Sequence, residues 1–158
     1  MAFYQLIRQQ HLNSDLQSVW EFVSNPANLR KITPTSMGFD IVTRHMPAQM
    51  YEGMIIEYNV KPFTMYRARW VTEITHIKQG QYFVDEQRIG PYKMWHHEHW
   101  IEQTDNGTLM TDIVSYSPPF GLLGRIANAL FIQRRLASIF DYRERILAKH
   151  FSQVQVNA

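Results

Sequence analysis

Apolar residues follow two periods along this chain, one typical of helices and one typical of strands. Near the start, the apolar positions have the spacing of one helix face. They are Leu16, Val19, Trp20 and Val23. Ser14 and Gln17 fit the S-x-x-Q capping box, so we predict that a helix begins there. Asn25 and Pro26 suit an N-cap and a first helical position, which predicts a second short helix ending before Pro34.

Most of the remaining chain has the pattern of short strands, because segments rich in β-branched and aromatic residues are separated by turn residues. The clearest turn is Asp105-Asn106-Gly107, since Asn-Gly readily adopts the positive φ of a tight hairpin. This pattern predicts about seven strands in a largely antiparallel meander. The predicted strands are Phe3–Leu12, Phe39–Thr43, Met54–Val60, Tyr66–Ile77, Tyr82–Ile89, Met94–Gln103 and Thr108–Tyr116.

The C-terminal part predicts one long amphipathic helix from Gly121 to about Lys149, after Pro118-Pro119 ends the sheet. The apolar residues expected on its buried face are Leu122, Ile126, Leu130, Ala137, Phe140, Leu147 and Phe151. Such a helix must bury that face against the sheet, which predicts an α+β domain. A twisted sheet curls around the helix, and a cavity remains wherever the helix does not fill the curl.

Composition and net charge limit the classes of function that this chain can have. The 158 residues, 45% of them hydrophobic, predict one globular domain over residues 1–151 with a frayed tail over 152–158. The chain has no cysteine, which excludes disulfides and thiolate catalysis and favours a cytoplasmic setting. We expect no signal peptide and no transmembrane segment. A net charge of only +2 argues against nucleic acid as a partner.

Several motifs together resemble the START-like superfamily, also called SRPBCC, helix-grip or birch-pollen-allergen-like. They are Phe83–Tyr92, Trp95–His99, Asp112, Tyr116, Pro119–Gly121 and Phe140–Arg143. The resemblance covers nearly the whole chain and is greatest to the small bacterial ligand-binding branch, which is related to polyketide cyclases and lipid transport proteins. It implies a helix-grip fold, with a curved antiparallel sheet around the long helix and two short helices after the first strand. One departure is Ile101, where such sequences often carry Phe.

The segment from Trp95 to Ile101 contains the most distinctive polar residues. Side chains alternate on a strand, so His97 and His99 share a face with Trp95 and Ile101. We expect this face to point inward. Two histidines spaced in this way could bind a metal together with Asp85 or Asp112. The more ordinary explanation is a hydrogen-bonded polar layer, so we expect neither a metal nor a cofactor.

Asp85 and Asp112 give this face a second interpretation. A carboxylate beside an imidazole in a water-poor pocket could act as a general acid–base pair, as a cyclase, dehydratase or hydrolase would need. Alternatively, the aspartates and histidines neutralise one another and hold adjacent strands in register. Arg143 lies near the apolar face of the long helix, where it either pairs with an aspartate or a ligand carboxylate, or extends its charged end to solvent.

The preferred hypothesis is a carrier or sensor of a small lipid-like or aromatic molecule. The expected ligand-binding residues are Trp70, Phe83, Asp85, Gln87, Trp95, His97, His99, Ile101, Asp112, Val114, Tyr116, Ile126, Leu130 and Phe140. An acid–base enzyme using His97 or His99 is the second hypothesis. The third is an interaction module, such as a homodimer, whose apolar turns at Lys61–Tyr66, His45–Met50 and Pro118–Leu123 bind a protein partner.

Overall fold

The computed structural model describes residues 2–63 and 66–154, in which a seven-stranded antiparallel sheet packs against a long C-terminal helix. The strands are β1 (Tyr4–Leu12), β2 (Asp40–Ile41), β3 (Ile55–Phe63), β4 (Tyr66–Lys78), β5 (Tyr82–Ile89), β6 (Met94–Thr104) and β7 (Gly107–Ser117). Their order is β1-β7-β6-β5-β4-β3-β2, so the first strand pairs with the last and the others form a meander. The predicted α+β helix-grip fold is therefore confirmed.

The helices lie in two groups. Helix α1 (Leu16–Val23) and two 3₁₀ helices (Pro26–Arg30 and Thr35–Met37) follow β1. After β7 come α2 (Gly121–Ala127), a π turn (Asn128–Ile132) and α3 (Gln133–Val154). No helix within residues 2–63 and 66–154 is both long enough and apolar enough to cross a bilayer.

The predicted capping box at Ser14 and Gln17 is wrong by one residue. Asp15 is the N-cap of α1, and its carboxylate accepts a hydrogen bond from the Ser18 N–H at 2.9 Å. The Gln17 side chain donates instead to Glu21. Asp15 is itself a preferred N-cap residue, and its carboxylate adds a favourable interaction with the helix dipole.

The expected buried face of the long helix is wrong at its N-terminal end. Ile126 and Leu130 are about half exposed, at 51% and 53%, and Leu122 is also exposed. A π turn adds about one residue to a helical turn, which rotates the helix before it by roughly 100° relative to a continuous α-helix. The buried positions are consequently Gly124, Asn128, Ile132, Leu136, Phe140, Arg143, Leu147 and Phe151.

The core lies between the concave face of the sheet and the helices. Side chains alternate along β1 and β7, so every second residue points inward. The largest cluster joins α1, the sheet and the end of α3, and includes Trp20, Ile56, Ile74, Phe83, Ile101, Met110 and Leu147. Part of the predicted apolar turn at Lys61–Tyr66 (residues 64 and 65) and residues 155–158 of the predicted tail lie outside the described residues. Residues 152–154 continue α3.

Candidate ligand cavity

A cavity of about 160 Å³ lies between the concave face of the sheet and α3. Its walls are mainly apolar and aromatic. The strands contribute Ile56, Tyr58, Val60, Trp70, Thr72, Ile74, Phe83, Asp85, Trp95, His97 and His99. The short helices, the π turn and the long helix contribute Leu29, Met37, Ile132, Arg135, Leu136, Ile139, Phe140 and Arg143, and the loops contribute Thr33, Phe39, Met50 and Tyr92. This volume is close to the ~150 Å³ of an engineered apolar cavity that binds benzene.

Half of the residues expected from the sequence line the cavity. They are Trp70, Phe83, Asp85, Trp95, His97, His99 and Phe140. Ile101, Val114 and Tyr116 are buried beside it in the core. Gln87 instead braces the β5–β6 loop, because its side chain donates to the Tyr92 carbonyl and accepts from the Tyr92 N–H.

Tyr58 and Tyr92 form an aromatic wall of the cavity that was not predicted from the sequence. Tyr58 stacks on Trp70 with ring centroids 6.0 Å apart, and Tyr92 meets Trp70 at 5.7 Å and Trp95 at 5.0 Å. Alternation along β3 could have identified Tyr58, since it shares a face with Ile56 and Val60. Tyr92 lies in a loop, where no periodicity applies. Burial raises the pKa of both phenols above the usual range, so both rings are neutral.

A polar network stands at one end of this otherwise apolar cavity. Asp85 is paired with His97 between β5 and β6, and His99 is paired with Asp112 between β6 and β7. Strand register alone therefore brings the four side chains together. Arg143 reaches them from α3, as expected if it pairs with an aspartate, and is itself buried, so its charged end does not extend to solvent.

His97 lies between the two carboxylates. Its Nε2 is 3.0 Å from Asp112 Oδ1, and its Nδ1 is 3.4 Å from Asp85 Oδ2. Burial alone would lower the pKa of His97, but the bonds to Asp112 and Asp85 outweigh it and raise that pKa. This direction favours the protonated form of His97 between the two carboxylates.

His99 is the second imidazole of the network. Burial and the neighbouring charge of His97 lower the pKa of His99, despite its contacts with both aspartates. Its Nδ1 is 2.8 Å from Asp112 Oδ1 and its Nε2 is 2.9 Å from Asp85 Oδ2, and Arg143 Nη2 lies 3.2 Å from Nδ1. The ring also stacks on Phe83 with centroids 4.1 Å apart, which fixes its orientation.

The two aspartates carry the opposing charge. Burial would raise the pKa of Asp112, but the Arg143 charge and the histidine hydrogen bonds hold it well below its usual range. Burial opposes ionisation of Asp85 as well, and the hydrogen bonds from His97 and His99 likewise lower its pKa. The two carboxylates are thus paired with one guanidinium and with the two histidines, which is the condition for keeping charges in a protein interior.

The same residues could hold a metal ion. Donor atoms of Asp85, His97 and His99 lie within 4.8 Å of one another, a set of ligand types that suits zinc. The Arg143 guanidinium opposes a cation at this position, because it lies 3.2 Å from the ring of His99, one of the three possible ligands. The protonated state of His97 acts in the same direction, since a metal ligand must give up that proton.

One known protein family matches most of the length of this chain. The model of a family described as a domain of unknown function, DUF8410, matches residues 10–151. The chain belongs to this family. A search of curated proteins finds no significant match. The match runs from the end of β1 through most of α3 and includes every residue of the polar network.

Solved structures share the fold at low sequence identity. TTHA0849 from Thermus thermophilus is 11% identical with a TM-score of 0.72, over 96% of this chain and 99% of that one. Ginseng major latex-like protein from Panax ginseng is 15% identical with a TM-score of 0.69, over the same shares. CV1439 from Chromobacterium violaceum is 11% identical with a TM-score of 0.68, over 93% and 96%. These similarities confirm the START-like, helix-grip fold.

The free energy of unfolding is expected to be greatest near pH 6.5, the ordinary histidine value. Just below that pH the unfolded chain binds more protons than the folded one, because His99 and His150 have lowered pKa values, so stability rises with pH. Just above pH 6.5 the folded chain binds more protons than the unfolded one, because the pKa of His97 is raised. The free energy of unfolding therefore falls as pH rises. Stability also falls below about pH 4. There the two carboxyl groups bind protons in the unfolded chain, whereas the lowered pKa values of Asp85 and Asp112 keep them ionised in the folded one.

Urea unfolding at a series of pH values measures this profile. In the double variant His97→Asn with His99→Asn the decline above the maximum should disappear, whereas His76→Asn, at an exposed histidine outside the network, should keep it. An unchanged decline in the double variant would show that the histidines of the network do not cause it.

Proposed function

We propose that this protein binds a small, mainly apolar molecule, about one or two aromatic rings in size, in the cavity between the sheet and α3. The observation that carries the proposal is the cavity of about 160 Å³ with aromatic walls. A one-ring ligand burying roughly 200 Å² would gain ~5 kcal/mol at 25 cal/mol per Å². Association lowers this gain, so we expect dissociation constants of about 0.2 mM or weaker for a purely apolar probe.

The ligand's polar end is expected to face α3. The Nε–H groups of Arg135 and Arg143 are both buried, both side chains line the cavity, and neither Nε has a hydrogen-bond partner among the described residues. A buried donor without a partner is unfavourable by ~1–3 kcal/mol, so a ligand that supplies an acceptor oxygen recovers that loss. An aromatic or short-chain carboxylate fits this combination of an apolar wall and guanidinium donors.

Native mass spectrometry of the protein purified from its own host tests the proposal. The expected result is a population heavier than the bare chain by the mass of one small molecule, released on denaturation and containing a ring or short chain with an oxygen acceptor. A protein that carries nothing from its host, and binds neither indole nor benzoate on titration, would contradict the proposal.

A second candidate function is acid–base catalysis, favoured by one observation. His97 and His99 lie side by side, and each is within 3.4 Å of both Asp85 and Asp112, which is the carboxylate–imidazole pairing of a general acid–base site. Both line the cavity, within reach of a bound molecule. An enzyme should lose turnover of the host ligand in His97→Asn and His99→Asn while still binding it, whereas a carrier should show no turnover in any form.

A further inference from the structure

The segment from Phe120 to Phe131 exposes a concentration of large apolar side chains, which we call the outer patch. Its members are Phe120, Leu122, Leu123, Ile126, Leu130 and Phe131, with exposed fractions from 51% to 82%. Leu122, Ile126 and Leu130 are four residues apart, so they lie on one side of the helix. A solvent-facing side of this kind is normally polar, and an exposed apolar cluster marks an interaction surface.

Contacts on the buried side of the helix keep the outer patch facing solvent. Gly124 packs so closely on Pro119 that an added Cβ would collide with the Pro119 carbonyl oxygen. The buried Asn128 side chain accepts a hydrogen bond from the Tyr116 hydroxyl at 2.8 Å. Rotating the helix to bury the outer patch would break both contacts. The exposure therefore belongs to the folded arrangement.

The charged residues within and just after this segment all have one sign. Arg125 and Arg134 are exposed beside it, and Arg135 follows. No aspartate or glutamate occurs between Asp112 and Asp141. In a symmetric dimer the same patch meets itself, so arginines would be gathered on both sides without an acidic partner from this segment. An anionic surface supplies the missing negative charge.

We propose that the outer patch docks the protein onto the surface of an anionic lipid bilayer. The helix would lie in the plane of the interface, with its leucines and isoleucine among the upper acyl chains and its arginines at the anionic headgroups. Ile132 and Leu136, in the turns that follow, line the cavity, so the docked helix is also a wall of the cavity. The docking does not depend on what the cavity holds.

Co-sedimentation with vesicles tests the proposal. The protein should bind vesicles of phosphatidylcholine mixed with phosphatidylglycerol, bind pure phosphatidylcholine far more weakly, and be released by salt. Leu122→Ser combined with Ile126→Ser should lower the partition coefficient about tenfold or more. Arg125→Gln combined with Arg134→Gln should lower it about fivefold per arginine, on anionic vesicles only.

A matched control tests whether vesicle binding depends on the outer patch or on exposed apolar side chains anywhere on the surface. Ile7 and Ile89 are exposed to a similar extent, at 55% and 50%, but lie on β1 and β5. Ile7→Ser combined with Ile89→Ser should leave vesicle binding unchanged. Absence of binding to anionic vesicles, or equal binding by the Leu122/Ile126 variant, would overturn the proposal. So would a lipid-free dimer, seen by sedimentation equilibrium, that this variant converts to monomers.

Discussion

Replacing Arg143 with Met is expected to lower the free energy of unfolding by about 3–5 kcal/mol, the usual loss when one partner is removed from a buried ion network. The buried guanidinium lies 3.5 Å from Asp112 and 3.2 Å from His99 Nδ1. Met preserves much of the aliphatic volume and packing of Arg. The decrease in the free energy of unfolding therefore measures mainly the removal of the positive charge. Without Arg143, two buried carboxylates would keep only the two histidines as partners. Urea unfolding at neutral pH measures the effect.

Arg145 on the same helix supplies the control. It is exposed, and Arg145→Met should change the free energy of unfolding by less than about 0.5 kcal/mol. Combining Arg143→Met with Asp112→Asn should be less destabilising than the sum of the single changes, because it removes a positive and a negative charge together. A loss below about 1 kcal/mol in Arg143→Met would mean that Arg143 does not neutralise the network.

Filling the cavity is expected to abolish binding of a small aromatic probe. Leu136 is buried on α3 and lines the cavity, so the larger ring in Leu136→Trp would occupy the space that a ligand needs. We expect calorimetric titration with indole to show a single site in the unaltered protein and at least a tenfold weaker interaction in Leu136→Trp. Overpacking costs about 1–3 kcal/mol at most sites, so the variant should still fold.

Ser138→Trp adds the same ring to an exposed position of α3 and should bind indole as the unaltered protein does. A comparable affinity in Leu136→Trp would place the binding site elsewhere. The ordered near-ultraviolet circular dichroism of both variants should confirm that each is folded before its affinity is compared.

The fold could be predicted because strand alternation and turn residues act over short distances. Tyr82–Ile89 has the predicted bounds, and the Asn106-Gly107 signal lies at the turn between β6 and β7. The inward face of His97 and His99 followed from the same alternation. These signals depend only on near neighbours in the sequence, so the sequence expresses them directly.

The π turn could not be predicted in this way. The π turn shifts the helical periodicity by about one residue. The apolar residues through Ile126 and Leu130 fit one face of a continuous α-helix equally well, so the sequence pattern does not reveal the shift. The anchoring contacts, Gly124 on Pro119 and Asn128 to Tyr116, join the helix to the chain before it. Only the assembled structure reveals that they outweigh burial of the apolar stripe.

The cavity walls were only partly predictable for a related reason. Whether a side chain lines a cavity or fills the core depends on sheet curvature and on where the helix lies. Ile101 and Trp95 share a face of β6, yet Ile101 is fully in the core while Trp95 lines the cavity. Tyr92 enters from a loop held by Gln87, a contact that no strand pattern encodes.

A crystal structure of the protein soaked with iodobenzene tests the central claim most directly, because the anomalous signal of iodine locates the ring without ambiguity. The account predicts a peak between the sheet and α3, against Trp70, Trp95 and Phe140, that is lost in Leu136→Trp. A peak confined to the outer patch around Leu122 and Ile126, or none between the sheet and α3, would contradict it.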